Sequence, residues 1–488
     1  MATQAAPDQR RGLALALLAA TQFVLILDAS IVNVALPSIG RDLAFAPQDL
    51  SWVANAYTLT FGGFLLLGGR IADLTGRRRV FMIGLALFVA ASIAGALAVS
   101  PLMLVVSRAA QGIGAALISP AALSLLMTLF PAGKERNRAL GVWGAVAGAG
   151  GAAGSILGGV LTEWFGWEAI FWVNVPIGIA ALALAPRLLP EAKDAFGVRS
   201  FDIAGAVTVT AGLAVGVYAL VDGNRAGWTS AQTLGLGALS IALLLSFLAV
   251  ESRSAHPLVP LRIFRERELR GANILSIFIT AAMFPMFFVL TLFLQQVKGY
   301  SPLEAGFGQL PFALSLIAVA GLASRLVTRL GYKLPLIAGL LIITAALAWF
   351  SNLSPDGSYF GDVFGPALLA GVGGALMFIP VTIAATAKAK PEQAGLASGL
   401  INTTQQIGGA IGLALLVAVA TARTEAVFAA GERSPAVALT DGFQIALLTG
   451  AGLAFIAALL AVVILPNGSK TTLPDAPEGE RVPVGAGV

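Results

Sequence analysis

Long apolar runs alternate with short polar loops along the whole chain. Each run has the length of about 20 residues that a membrane-spanning helix needs, whereas strands of a membrane barrel have about 10 residues and alternate in polarity. The pattern predicts an all-α, polytopic membrane protein with fourteen spans. The predicted spans are 13–37, 48–71, 80–99, 101–130, 137–162, 168–189, 201–221, 232–251, 269–296, 302–326, 334–352, 361–386, 395–421 and 441–465.

Basic residues concentrate in every second loop. With the N-terminus placed in the cytoplasm, 24 of the 30 Lys and Arg residues fall in inside segments, 5 fall outside and Arg108 lies within a span. Cytoplasmic loops of membrane proteins carry such an excess of basic residues. We therefore expect a multi-pass protein of the cell membrane, in contact with the lipid bilayer, with both termini cytoplasmic. The same distribution accounts for the net charge of +5 without a nucleic-acid partner.

The composition offers few of the residue types that enzymes use for catalysis. Charged residues make up 11% of the chain, against about 25% in soluble domains. There are no cysteines, which excludes disulfides, thiolate metal sites and cysteine nucleophiles. The single histidine, His256, lies in a polar loop, and no phosphate-binding loop motif occurs. We expect no enzymatic activity, no cofactor and no metal site.

A weak internal repeat divides the chain into two halves. The segment that follows Gly69 resembles the segment that follows Gly321, at an offset of 252 residues. Repeated halves are typical of secondary transporters, which bind substrate between them near the membrane midplane. We predict a six-helix bundle at 1–200, two inserted helices and a cytoplasmic linker at 201–268, a second six-helix bundle at 269–466, and a disordered cytoplasmic tail at 467–488. We expect a monomer.

Asp28 lies in the middle of the first apolar run. A carboxylate at the centre of a spanning helix is unfavourable by about 2.5–3.5 kcal/mol even on the insertion scale, so such acids usually have a function. Burial in a medium of low dielectric favours the protonated form of a carboxyl group. We therefore predict that Asp28 carries the proton in a proton-coupled process. The alternative is a structural acid held by hydrogen bonds.

Arg108 is the natural counter-charge for such an acid. It lies within the fourth span, seven residues from its start at Pro101. Long cationic side chains near helix ends often extend to the membrane surface, which is one interpretation. The other is that the guanidinium points into the bundle and modulates proton binding by an acid. The sequence leaves both open.

Glycines mark two further segments. Between spans 2 and 3, Gly69, Asp73, Gly76 and Arg77 form a tight basic turn, which by composition is an ordinary loop. Span 5 carries glycines at intervals of four residues, a spacing that lets helix backbones approach closely. Such a seam packs helices and is also compatible with sealing or flexing a cavity. Its glycines are Gly144, Gly148, Gly150, Gly154, Gly158 and Gly159.

Polar and aromatic residues inside spans are candidates for the lining of a substrate cavity. Buried amides in spans also serve as interhelical hydrogen-bonding groups. The candidates are Asn33, Asn55, Gln111, Phe284, Phe288, Asn402 and Gln405.

Taken together, these segments resemble the major facilitator superfamily, specifically its fourteen-span drug:proton antiporters. The resemblance covers most of the chain and is carried by residues 27–37, 69–79, 107–114, 144–159 and 167–178. It implies alternating access, proton transfer involving the arginine of segment 107–114, a gating role for the loop 69–79 and an antiporter motif in span 5.

The chain departs from that family pattern at three places. Ser155 follows Gly154 where the family usually has proline, and Glu168 replaces a basic residue. Some members of the family that export multivalent cations carry a second acid deep in the C-terminal half, whereas Glu304 and Asp362 lie only at helix ends here. The resemblance therefore favours monovalent or neutral lipophilic substrates. We expect a proton-coupled exporter of hydrophobic or amphipathic small molecules. The alternatives are a dedicated exporter of one endogenous metabolite and a non-transporting membrane scaffold or sensor.

Overall fold

The computed structural model describes residues 8–46, 49–130, 134–191, 202–254, 257, 259, 261–386 and 394–466, and their regular secondary structure is helical throughout. The N-terminal bundle consists of α1 (Asp8–Asp42), α2 (Trp52–Thr75), α3 (Arg77–Ala96), α4 (Pro101–Leu129), α5 (Lys134–Phe165), α6 (Ala169–Trp172) and α7 (Asn174–Leu188). The inserted pair is α8 (Ile203–Ala226) and α9 (Ala231–Arg253). The C-terminal bundle consists of α10 (Arg267–Leu292), α11 (Pro302–Gly308), α12 (Leu310–Leu330), α13 (Lys333–Phe350), α14 (Gly365–Thr386), α15 (Ala394–Ala429) and α16 (Pro435–Ile464).

Within the described residues, eleven helices are long and apolar enough to cross a membrane. This confirms the prediction of an all-helical membrane protein. The predicted spans 2, 5 and 7 coincide with α2, α5 and α8, but these are not among the eleven. The number of fourteen spans therefore stays a prediction, as do the domain boundaries. The predicted tail, 467–488, lies outside the described residues.

Two predicted spans are each divided by a single residue, and a proline follows each break closely. The sixth span divides into α6 and α7 at Val173, and the tenth divides into α11 and α12 at Gln309. Proline has no N–H to donate to the carbonyl four residues earlier. Pro176 leaves the carbonyl of Trp172 without that bond, and Pro311 does the same for Phe307. By contrast, α5 is continuous through Ser155, so the missing proline there coincides with an uninterrupted helix.

Each bundle has its own packing, and the inserted pair lies against both. In the N-terminal bundle α4 packs on α2 and α3, and α1 packs on α5 and α7. In the C-terminal bundle α10 packs on α15 and α16, and α14 packs on α12 and α13. Helix α8 touches α2 and α15, and the Thr210 hydroxyl donates to the Gly63 carbonyl at 2.8 Å. The inserted pair thus covers a seam between the bundles.

The two bundles also meet near one end of the molecule. We call the end with the α2–α3 turn the Gly76 end and the end with the α5–α6 turn the Gly166 end. An apolar core toward the Gly166 end joins Leu36 of α1 to Phe288 of α10. There the Gln295 side-chain amide donates to the Val34 carbonyl at 2.7 Å, across the boundary between the bundles. These contacts hold the bundles together at the Gly166 end.

The backbone conformation of Gly76 leads to a prediction about the stability of the fold. Its φ of 108° is unfavourable for any residue with a Cβ atom. We expect Gly76→Ala to destabilise the protein by about 1–3 kcal/mol and to lower its thermal unfolding temperature in detergent. Gly321→Ala is the matched control, because nothing lies within 4 Å of an added Cβ there and alanine favours a helix. Equal unfolding temperatures for the Gly76 variant and the natural protein would contradict the strain argument.

Candidate functional site

Helix α1 places Asp28 inside the N-terminal bundle. Thr21 and Leu25 precede it by seven and three residues, so all three share one helical face. That face is buried, and Asp28 itself is 1% exposed. The Tyr57 hydroxyl of α2 donates to the Leu25 carbonyl at 3.2 Å and ties the same face to the neighbouring helix. Asp28 therefore points into the bundle and away from lipid.

Arg108 of α4 reaches Asp28 directly. Its Nη1 lies 2.5 Å from Asp28 Oδ2, and each side chain is 1% exposed. Its Nε donates to the Val53 carbonyl at 3.0 Å, and its Cζ lies 4.5 Å from the centre of the Tyr57 ring. The guanidinium thus points into the bundle and does not extend to the membrane surface. Removing one partner of a buried ion pair typically destabilises a protein by about 3–5 kcal/mol.

Two amides complete the contacts of the Asp28 carboxylate. Gln111 Nε2 donates to Oδ1 at 3.0 Å, and Asn174 Nδ2 donates to the same oxygen at 2.7 Å. Together with Arg108, three donors surround the two carboxylate oxygens. Because an ionised carboxylate only accepts hydrogen bonds, this arrangement fits the deprotonated form of Asp28.

Ser92 of α3 joins the two amides. Its hydroxyl donates to the Phe88 carbonyl at 2.8 Å and accepts from Gln111 Nε2 at 2.8 Å. Asn174 Nδ2 lies 3.5 Å from the same hydroxyl. The polar cluster therefore connects α1, α3, α4 and α7, and a change of charge at Asp28 acts on all four helices. We call Asp28, Ser92, Arg108, Gln111 and Asn174 the Asp28 cluster.

The glycines of α5 allow it to pack tightly on α1. A Cβ atom at Gly154 would lie 1.8 Å from Ser30 Oγ, and one at Gly158 would lie 2.7 Å from the Ile31 carbonyl oxygen. A Cβ at Gly150 would also be crowded by α1. Since contacts under 3.0 Å are not tolerated, only glycine fits at the first two of these positions. Helix α5 therefore packs through these glycines directly on the helix that carries Asp28.

A second glycine contact joins α5 to the C-terminal bundle. A Cβ at Gly159 would lie 2.8 Å from Leu303 Cα, and a Cβ at Gly306 of α11 would lie 2.4 Å from the Ser155 carbonyl oxygen. Close by, the Glu163 carboxylate accepts from the Leu303 N–H at 3.0 Å. Helix α5 thus contacts α1 on one side and the opposite bundle on the other.

The turn at the Gly76 end connects three helices. Gly69 packs closely on α4, and Arg77 Nη1 donates to the Thr128 hydroxyl at 2.7 Å. Gly76 adopts the positive φ given above. The side chain of Asp73 lies outside the described part of the chain. The gating role of this turn stays a prediction.

The predicted cavity residues fall into two groups. Gln111 belongs to the Asp28 cluster, and Asn55 is fully buried with no hydrogen-bond partner for either amide atom among the described residues. Phe288 is 3% exposed and contributes to the apolar core of this conformation, not to a cavity surface. Asn33 is half-buried.

The remaining candidates lie together on α10 and α15. The Phe284 ring is 38% exposed, and a Cβ at Gly409 would lie 2.4 Å from it. Asn402 and Gln405 precede Gly409 by seven and four residues and therefore share its helical face. Asn402 is exposed and Gln405 is half-buried. An aromatic ring and two amides thus form one amphipathic surface.

Solved structures of transporters share this fold. A transporter of the POT family, PepTSo, superposes with a TM-score of 0.68 at 16% identity, covering 93% of this chain and 97% of that one. A bacterial homologue of the human lysosomal transporter Spinster, described as inward-facing and unoccupied, has a TM-score of 0.66 at 17% identity, covering 94% and 98%. At these identities the likeness concerns the fold alone.

Closer relatives are found by sequence. The cephamycin export protein CmcT of Amycolatopsis lactamdurans is 43% identical over 83% of this chain and 84% of its own length. The puromycin resistance protein pur8 of Streptomyces alboniger is 37% identical over 95% and 93%. The Major Facilitator Superfamily model matches residues 18–413. This multi-pass membrane protein therefore belongs to the Major Facilitator Superfamily.

Proposed function

We propose that this protein is a proton-coupled antiporter that exports hydrophobic or amphipathic small molecules by alternating access. The observation that carries the proposal is the Asp28 cluster, a buried carboxylate in the middle of α1 paired with a buried arginine. In a membrane protein, such buried ionisable groups are typical of proton relays.

Protonation of Asp28 offers a mechanism for coupling. Adding a proton neutralises the carboxylate, which removes its Coulomb attraction to Arg108 and weakens the bonds from the donors around it. The contacts that hold α1 against α4 and α7 are then weakened together. Because α1 also packs on the glycines of α5, a shift of α1 acts on the helix that joins the two bundles. Proton binding and the arrangement of the bundles thus become linked.

The proton gradient supplies enough energy for export. One pH unit provides about 1.4 kcal/mol per proton, and a membrane potential of 100 mV adds about 2.3 kcal/mol per charge moved. Together they sustain a gradient of between two and three decades for a neutral substrate exchanged against one proton.

The proposed topology has fourteen spans and cytoplasmic termini, as the distribution of basic residues indicates.

Two observations support the class of substrate. The amphipathic surface of Phe284, Asn402 and Gln405 suits a molecule with both apolar and hydrogen-bonding parts. In addition, the relatives include proteins named for resistance to puromycin and to lincomycin, and one named a multidrug resistance protein. The proposed cargo is therefore a drug-like or antibiotic molecule.

Transport in vesicles tests this proposal. Inside-out vesicles containing the protein are acidified internally, and lipophilic candidates including puromycin are added while the internal pH is followed with a fluorescent dye. We expect an accepted compound to dissipate the pH gradient and to accumulate in the vesicles. Vesicles without the protein serve as the control. Accumulation that does not depend on the pH gradient would contradict proton coupling, and no response to any compound would favour a scaffold or sensor.

A second candidate is an exporter dedicated to one compound. It is favoured by relatives named for single antibiotics, such as the cephamycin export protein and the tetracenomycin C resistance and export protein. The same vesicle experiment separates the two, because a dedicated exporter responds to one chemical scaffold and a multidrug exporter responds to several.

A further inference from the structure

Only the nitrogen of the Asn174 side-chain amide forms a hydrogen bond within the Asp28 cluster. Its Nδ2 donates to Asp28 Oδ1 at 2.7 Å. Its Oδ1 is buried and has no hydrogen-bond partner among the described residues, and the residue is fully buried. A buried acceptor without a partner is unfavourable by about 1–3 kcal/mol. The presence of this unpartnered oxygen in the cluster therefore calls for a functional explanation.

The amide of Gln111, unlike that of Asn174, is hydrogen-bonded at both ends. Its Nε2 donates to Asp28 and to Ser92, while its Oε1 accepts from Arg108 Nη1 at 2.9 Å. Both ends of this amide are therefore fixed, and rotating it would break three hydrogen bonds. The oxygen of Asn174 has no such bond to lose.

The hydrogen-bond partners that the Asp28 side chain requires change when it takes up a proton. As a carboxylate it accepts from three donors, whereas the acid has an O–H that requires an acceptor. Arg108 has only N–H groups and cannot accept. Gln111 Oε1 already accepts from Arg108 and the Ser92 hydroxyl already accepts from Gln111, so each has one lone pair in use. Among these neighbours, the oxygen of Asn174 is the acceptor with no hydrogen bond of its own among the described residues.

We propose that Asn174 is a positioning residue that follows the protonation state of Asp28, donating through Nδ2 to the carboxylate and rotating its amide to accept through Oδ1 from the acid. The proton comes from water and binds Asp28 Oδ1, and only hydrogen bonds otherwise change. Each state of Asp28 then has a partner on α7. This inference rests on the proposed function only in that Asp28 takes up a proton.

Infrared difference spectroscopy on the full protein in lipid tests the inference without a transport assay. Spectra are recorded at acid and alkaline pH, over about pH 4 to 9 around the range in which shifted carboxyl groups titrate, with asparagine isotopically labelled. We expect a carboxyl C=O band that is lost in Asp28→Asn. We also expect a shift of a labelled side-chain amide C=O band that follows the same titration and is lost in Asn174→Leu.

Three variants distinguish a positioning role of Asn174 from a role in packing alone. Asn174→Leu keeps the volume but removes donor and acceptor, so the carboxyl C=O band of Asp28 should shift in frequency, because the acid loses its acceptor. Asn174→Ser restores a group that donates and accepts and should reverse part of that shift. Gln111→Met also removes a donor to Asp28, but the labelled asparagine band should still respond to pH.

The outcomes distinguish this inference from the proposed function. If the Asp28 band titrates while no labelled amide band follows it, the role of Asn174 is overturned and proton coupling through Asp28 stands. If no carboxyl band depends on Asp28 at any pH, both are overturned. Loss of the amide shift in Gln111→Met as well as in Asn174→Leu would overturn the assignment to Asn174 in particular.

Discussion

Replacing Asp28 with Asn reduces pH-gradient-driven efflux to the level of vesicles without the protein. An amide does not exchange protons in this pH range, so the proposed coupling step is lost. The same change leaves the buried guanidinium of Arg108 without a counter-charge, which we expect to destabilise the fold by about 3–5 kcal/mol. Efflux is measured in vesicles at equal protein content, and folding by thermal unfolding in detergent.

The loss of transport must be separated from the loss of stability. In the double variant Asp28→Asn with Arg108→Met, no unpaired charge remains buried, so we expect stability to recover but efflux to stay absent. Asp441→Asn is the matched control, because Asp441 pairs with Arg423 at 2.9 Å near the surface. Exposed pairs contribute little to stability because solvent screens the charges, so this variant should transport normally. Proton-dependent efflux that persists in Asp28→Asn would show that another group carries the proton.

The charged members of the Asp28 cluster could be predicted from the sequence, because charges in apolar runs are rare. Asp28 and Arg108 are conspicuous for that reason alone, but the sequence leaves the direction of the arginine open, and only the structure places its Nη1 beside Asp28. The glycine spacing of span 5 likewise predicted close packing of helices, which the contact of Gly154 with Ser30 shows. In each case a single unfavourable or unusual residue type carried the information.

Among the uncharged members, Gln111 is a candidate only as one of several amides inside spans, and its contact with Asp28 could not be predicted. Amides and hydroxyls are scattered through the spans, and nothing in the sequence shows that Asn174 lies beside Asp28, 146 residues earlier. Ser92 is one of many serines within apolar runs. The carbonyl of Val53, which accepts from Arg108, has no signature at all because every residue has a carbonyl. Such partners depend on how distant helices pack, and the one local feature of Asn174 is its place in the segment 167–178 that resembles the family.

Gly306→Val is the second substitution with a large expected effect. A Cβ at this position would lie 2.4 Å from the backbone oxygen of Ser155, and backbone atoms do not move aside as flexible side chains do. The contact joins α11 to α5 near the Gly166 end, which is the outer end in the proposed topology. We expect the variant to hold the bundles apart there, to disfavour the closed arrangement, and to lose most of its transport activity while remaining folded within each bundle.

Cysteine labelling measures this shift directly. The natural chain has no cysteine, so Leu36→Cys, which is fully buried in the core that joins the bundles, reports without background. Overpacking of this kind costs about 1–3 kcal/mol, and 1.4 kcal/mol corresponds to a tenfold change in population, so a membrane-impermeant maleimide should label the site about tenfold faster in Gly306→Val. Gly321→Val, where an added Cβ meets nothing within 4 Å, should leave labelling and transport unchanged. Equal labelling in both variants would mean that the α5–α11 contact does not control access from the outer end, and the coupling from Asp28 through α1 and α5 would then lack its last step.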